Sequence, residues 1–144
     1  MKGQYKVLTE VILFGLGVAI ASFVILSFQT VQTNVIELAV EDNMRSVSNL
    51  ITTAVIKVAE AGVASMRLEI PKDISEHSYI ISVDGDLLVL ASLEKPDINV
   101  TQQLFNITQN HNIIIMGNVL SSSSRYLEVS SEDGINIIIR RWGV

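Results

Sequence analysis

The sequence predicts an α+β protein: one long N-terminal helix, transmembrane and then amphipathic, followed by a small antiparallel β-sheet or sandwich domain. Three observations carry this. Val11 to Phe28 is a run of 18 residues without a charge. Between Gly17 and Gly62 lie 44 residues with neither glycine nor proline. From Ser65 onward the apolar residues alternate with polar ones, the two-residue period of a strand.

The chain has 144 residues, 49% of them hydrophobic and only 17% charged, against about a quarter charged in soluble domains. The excess is concentrated in 11–28. At about 1.5 Å rise per residue that run covers roughly 27 Å, close to a hydrocarbon thickness of about 30 Å. A cleaved secretory signal is the rival reading, but it needs a shorter apolar region and a small-residue cleavage site. Gln29-Thr30-Val31-Gln32-Thr33 follows instead, so the segment is expected to be retained. Lys2 and Lys6 precede the run, whereas Glu37, Glu41 and Asp42 are the first charges after it. Cations flanking a span tend to stay cytoplasmic, which directs the C-terminal part outward.

The absence of glycine and proline, the residues most damaging to a helix interior, extends the helix through the polar stretch. Ile36, Val40, Met44, Val47, Ile51, Ala54 and Val58 recur at spacings of four and three, a heptad-like stripe. The expected helix covers residues 7–61, about 80 Å at 1.5 Å per residue, and Gly62 is its stop. Residues 1–6 form a short basic leader and N-terminal segment, 11–28 the membrane or filament-core part, and 29–61 an amphipathic stalk. The stripe either covers the β-domain of the same chain or also packs against helices of other copies.

Residues 65–144 form the expected extracytoplasmic β-domain. Met66 to Ile70 alternates and stops at Pro71, as an edge or terminal strand does. Ser78 to Val83 and Leu87 to Leu93 flank Asp84-Gly85-Asp86, a hairpin connection. Ile98 to Ile107, Ile113 to Leu120, Tyr126 to Ser130 and Ile135 to Trp142 complete six or seven strands, with Asp133-Gly134 turning the last hairpin. Ser121 to Ser124 reads as a turn. Short strands at such intervals indicate an antiparallel sheet, sandwich or open barrel.

Composition excludes several chemistries. A net charge of −5 opposes general nucleic-acid affinity, which needs clustered cations. No cysteine is present, so disulfides, thiolate metal sites and thiol nucleophiles are absent together. His77 and His111 stand apart without ligand spacing, and Asp84 and Asp86 lack the ligand series of a calcium loop. No nucleophile elbow or phosphate loop appears. The expectation is a non-enzyme without cofactor or metal. Asn99-Val100-Thr101 and Asn106-Ile107-Thr108 are N-glycosylation sequons, or else ordinary polar residues. Glu10 sits directly before the apolar run, where a carboxylate is costly unless interfacial or paired. It is either an interfacial residue or the partner of a neighbouring subunit's terminal ammonium.

Met1-Lys2-Gly3-Gln4, then Glu10 and the apolar helix, resembles the N-terminus of archaeal type IV pilin-like proteins, the group that also supplies archaellum subunits. The resemblance implies cleavage by a prepilin peptidase between Gly3 and Gln4, register set by Glu10, and assembly of homo-oligomers or filaments through helix packing. It implies a structural or minor subunit of a surface filament concerned with motility or adhesion. The alternative is a single-span membrane protein whose β-domain binds the surface layer or another extracellular partner.

Overall fold

The computed structural model describes residues 2–104 and 113–143. The protein is α+β: one long helix followed by an eight-stranded, mostly antiparallel sheet. It divides into two compact units, Met1–Glu37 and Leu38–Val144.

Helix α1 spans Lys2–Ala61, 60 residues, beginning five residues before the expected start. No proline interrupts it. Hydroxyls that would compete with the helix are folded back onto it. Thr9, Ser22, Thr30 and Thr33 each donate to the carbonyl four residues earlier, at 2.8–3.2 Å, a bond that hides the hydroxyl in an apolar stretch. The helix stops as expected at Gly62, whose φ is +77°. There the amide of Gly62 donates to the Val58 carbonyl at 3.0 Å, a left-handed cap that costs glycine no steric penalty.

The first unit is the helical segment up to Glu37. In the second unit, the remainder of α1 joins strands β1 (Ala64–Glu69), β2 (Asp73–Ile74), β3 (His77–Asp84), β4 (Leu87–Ser92), β5 (Asn99–Gln103), β6 (Ile114–Leu120), β7 (Tyr126–Ser131) and β8 (Asn136–Arg141). Their order across the sheet is β1-β7-β8-β6-β3-β4-β5, with β2 paired to β3. The strand read from 98–107 begins one residue later; residues 105–112 lie outside the described part. Ser121–Ser123 is a 3-10 turn.

One face of the sheet is apolar because alternate residues point the same way. Leu68, Leu127, Val129, Ile137, Ile139, Ile115, Ile81 and Leu90 are all buried there, in one cluster with Val40, Met44, Val47, Ile51, Ala54, Val55 and Val58 of the helix. Thus the helical stripe is buried within its own chain from Val40 to Val58. Ile36 is not part of it: the side chain is 42% exposed. At the same contact Ser48, fully buried, donates to Gln102 Oε1 of β5 at 3.5 Å.

Three departures from the sequence reading have physical causes. β2 is only two residues long and is joined to β3 through Ser75 and Glu76, both at positive φ. A type I′ turn demands this, and it usually advertises itself by Asn or Gly. Second, the Tyr79 ring is fully buried, and its hydroxyl donates to the Pro71 carbonyl at 2.6 Å. Burial, with Asp73 nearby, raises the phenol above its ordinary value. Its amide donates to Ser121 Oγ at 2.9 Å, which fixes the 3-10 turn against β3.

Third, the sheet is not wholly antiparallel: β6 and β8 are parallel. β7 skips one position after β6, and β8 folds back as a hairpin into the gap. Alternation reveals which residues share a face, never the order of strands, so this crossing left no trace in the pattern. The consequence for β6 is a change of partner partway along. Ile114–Gly117 pair with Asn136–Ile139 of β8, whereas Asn118–Leu120 pair with β3. Gly117 is the pivot. A Cβ there would lie 2.5 Å from the Ile139 carbonyl oxygen and 2.7 Å from Ile139 Cβ, so only glycine allows the approach.

Gly117→Ala is expected to destabilise the domain by about 1–3 kcal/mol, the usual cost of overpacking a close contact. Chemical denaturation followed by circular dichroism measures it, and an unchanged midpoint would contradict the assigned approach.

Candidate functional site

The most exposed apolar surface lies on the helix. From Tyr5 to Phe28 every large apolar side chain is exposed, from 51% at Val18 to 75% at Tyr5. The most apolar 18-residue window has mean hydropathy 2.6, and none of it is buried. A core helix of a water-soluble fold passes the same test of length and composition, but there the window would be covered by its own chain. This is one helix long and apolar enough to cross a membrane.

The exposed surface continues past the expected span. Val31, Val35 and Leu38 remain 58–63% exposed among Gln32, Thr33, Asn34 and Glu37. With Val24 and Phe28 they repeat at spacings of four, three, four and three. Leu38 lies about 200° around the helix from Val40, at 100° per residue, so Leu38 and the buried stripe occupy different faces. The sequence reading followed the second and missed the first. Spacing alone held the signal for both.

Lys2, Gly3 and Gln4 belong to the helix. Glu10 is exposed on it and makes no ion pair among the described residues. Asn99 is exposed on β5, with Thr101 exposed on the same face two residues on; Asn106 and His111 lie outside the described residues. His77 is 20% exposed, with Nδ1 3.8 Å from Glu94 Oε2, too long for a hydrogen bond. Among the described residues no group of three or more metal-binding side chains comes together.

A second cluster, unsuspected from the sequence, occupies the sheet face away from the core. Tyr126 and Trp142 are neighbours across β7 and the end of β8, where the Trp142 amide donates to the Tyr126 carbonyl at 3.0 Å. The Arg67 guanidinium lies over both rings, 5.1 and 5.4 Å from their centroids, within cation–π range. Arg125 pairs with Glu69, and Arg140 Nε donates to Glu128 Oε2 at 2.8 Å. Ser65 donates to the other Glu128 oxygen at 2.6 Å. These bonds, the arginine foremost, hold the Glu128 carboxyl below its ordinary value. Residues from β1, β7 and β8 meet only through the strand order, so no local motif announces them.

Where β6 leaves β8 the sheet forks. The opening is a cleft of about 450 Å³ lined by Asn118, Val119, Leu120, Ser123, Ile139, Arg140 and Arg141.

Two outcomes follow. Met44→Ala should cost the domain about 2–5 kcal/mol, as a buried large-to-small change does, whereas Val31→Ala should leave the unfolding midpoint of the sheet domain in place; parallel denaturation curves in detergent check both. Because the Glu128 pKa is depressed by folding, its contribution is present above the unfolded carboxylate value and disappears as pH falls through the lower folded value. Glu128→Gln should therefore flatten the acid limb of the stability–pH curve in that window.

No family model, curated protein or solved structure matches the chain.

Proposed function

We propose that the protein is a membrane-inserted subunit, or minor component, of a type IV pilin-like surface filament of archaeal kind, assembling through its N-terminal helix. One observation carries this reading: a window of mean hydropathy 2.6 with none of its surface covered by its own chain. Such a surface requires lipid or other helices around it, because exposing it to water is unfavourable in proportion to its area. Assembly then consists of trading lipid contacts for contacts with helices of other copies, and apolar area stays dry throughout. The positive charges of Lys2 and Lys6 favour a cytoplasmic N-terminus and an outward sheet domain. Glu10, exposed and without an ion partner among the described residues, is available to pair with a neighbour's terminal ammonium after cleavage between Gly3 and Gln4. The sequons of Asn99, exposed on β5, and Asn106 then lie on the outward side, where glycosylation takes place.

A second reading has its own support. From Val40 onward the stalk stripe is spent on the chain's own sheet, which leaves less of the helix for neighbours. A single-span accessory protein, whose outward domain grips the surface layer or another extracellular partner, fits that division.

Mass spectrometry of the N-terminal peptide, from native membranes and from sheared surface fractions, separates the two. A peptide beginning at Gln4 in the sheared fraction is expected for the filament subunit. Intact Met1, with all the protein extracted by detergent as monomers or dimers, would reject it in favour of the anchored accessory protein.

A further inference from the structure

We propose that the outer face of the sheet, turned away from the buried helical stripe, packs against the same face of a second copy of this chain. The proposal goes beyond the helix-driven assembly put forward above, which gives this face no role.

The strands carry more apolar side chains than one core can use. Leu87-Leu88-Val89-Leu90-Ala91 of β4 is apolar at every position, as are Ile114-Ile115-Met116 of β6 and Ile137-Ile138-Ile139 of β8. A strand with one wet face alternates, whereas a continuous apolar run belongs to a strand covered on both sides. Leu88, Leu90, Ile115, Ile137 and Ile139 are buried in the core with the helix. Their neighbours point the other way. Ile114, Met116, Leu120 and Ile138 are 37–55% exposed, and Val89 and Ala91 are half-buried.

Strand register gathers these residues into one patch. Leu120 stands beside Ile80, and Ile80 beside Ala91; Met116 stands beside Ile138. Asn118, Ser82 and Val89 form the row between. No outer position of β4 or β6 carries a charge. Towards the two edges the face turns polar, with Asn99, Thr101 and Gln103 on β5 and Ser65, Arg67 and Glu69 on β1. An uncharged apolar centre inside a polar rim is the anatomy of a protein–protein interface, and contiguous exposed apolar patches mark such sites.

Area, shape and charge identify the occupant. Seven strands, about 4.8 Å apart and about six residues long at roughly 3.3 Å each, make a face of roughly 30 by 20 Å. Two such faces together cover roughly 1,200 Å², where stable specific interfaces begin. Sheets pack face to face at an angle set by their twist, and a second copy brings the same twist. Both signs of charge stand together at the β1–β7 side, where Glu69 pairs with Arg125 and Glu128 with Arg140. A strongly charged partner gains nothing there, whereas a balanced rim tolerates its own copy.

The chain has no cysteine, so single introduced cysteines report on this face alone. Ser82→Cys and Asn118→Cys, cross-strand neighbours at its centre, are each expected to give disulfide-linked dimers of the full chain on oxidation in membranes of the expressing cells. Sedimentation equilibrium of the full chain in detergent measures the affinity. Met116→Glu should weaken the dimer about tenfold or more, because a carboxylate is taken out of water without a partner. Gln103→Glu, the same charge at the polar edge, should leave it unchanged. Ile138→Ser is a second, milder variant in the row of Met116, and circular dichroism melting establishes that each variant is folded. A monomeric wild type, folded Met116→Glu or Ile138→Ser chains that dimerise as before, or cysteine adducts with the mass of another protein would each overturn the assignment. The N-terminal peptide tests the helix-driven reading separately, since this dimer requires no cleavage between Gly3 and Gln4.

Discussion

The burial of one helical face, Val40 to Val58, against the apolar side of the sheet is the contact on which the rest of the fold depends. Without it a single sheet would expose one whole face to water, and no cysteine is available to staple it. Seven apolar side chains of the helix supply the second layer that a domain needs. Everything else is arranged around that layer: Ser48 is satisfied by Gln102 within it, and Gly62 turns the chain directly from the helix into the edge strand β1.

The same helix carries two kinds of surface, and the sequence distinguishes them only in part. The charge-free run and the missing helix breakers were legible because they are local. So was the seven-residue repeat from Val40, and so were the glycine turns at Gly85 and Gly134. What was not legible depends on strand order. The parallel pairing of β6 with β8, the role of Gly117, and the meeting of Arg67 with Tyr126 and Trp142 join residues as much as 75 positions apart, and no periodicity records such distances. β2 escaped for the opposite reason, being too short for any pattern and turned by residues that seldom form such turns. Ile36 shares the helical face of Val40 at a spacing of four, yet it is 42% exposed: spacing assigns a face, and only burial shows where along that face the packing begins.

Electrostatics follow a similar division. The residues before the apolar run carry the cations expected to hold that end at a membrane surface, whereas the sheet concentrates arginine on one outer corner. Both arrangements lie on an acidic chain, so neither expresses overall composition. Each positions positive charge where an apolar or aromatic surface is also exposed, at the start of the helix and beside Trp142. Pairing of Glu128 with Arg140 and Ser65 keeps three strands aligned at that corner, which gives the arginines a fixed spacing rather than a loose coat.

The strand order also bears on biogenesis. β8 sits between β7 and β6 although it is made after both, and β1 must wait for β7 before it acquires a neighbour. Until β8 emerges, β6 and β7 are bare edges, the kind of surface that invites pairing with other chains. Contacts of such long sequence separation also slow closure, because loop entropy is lost before they form. The sheet is therefore completed after β8 leaves the ribosome or a translocation channel, and nascent chains would profit from a chaperone that shields those edges in the interval.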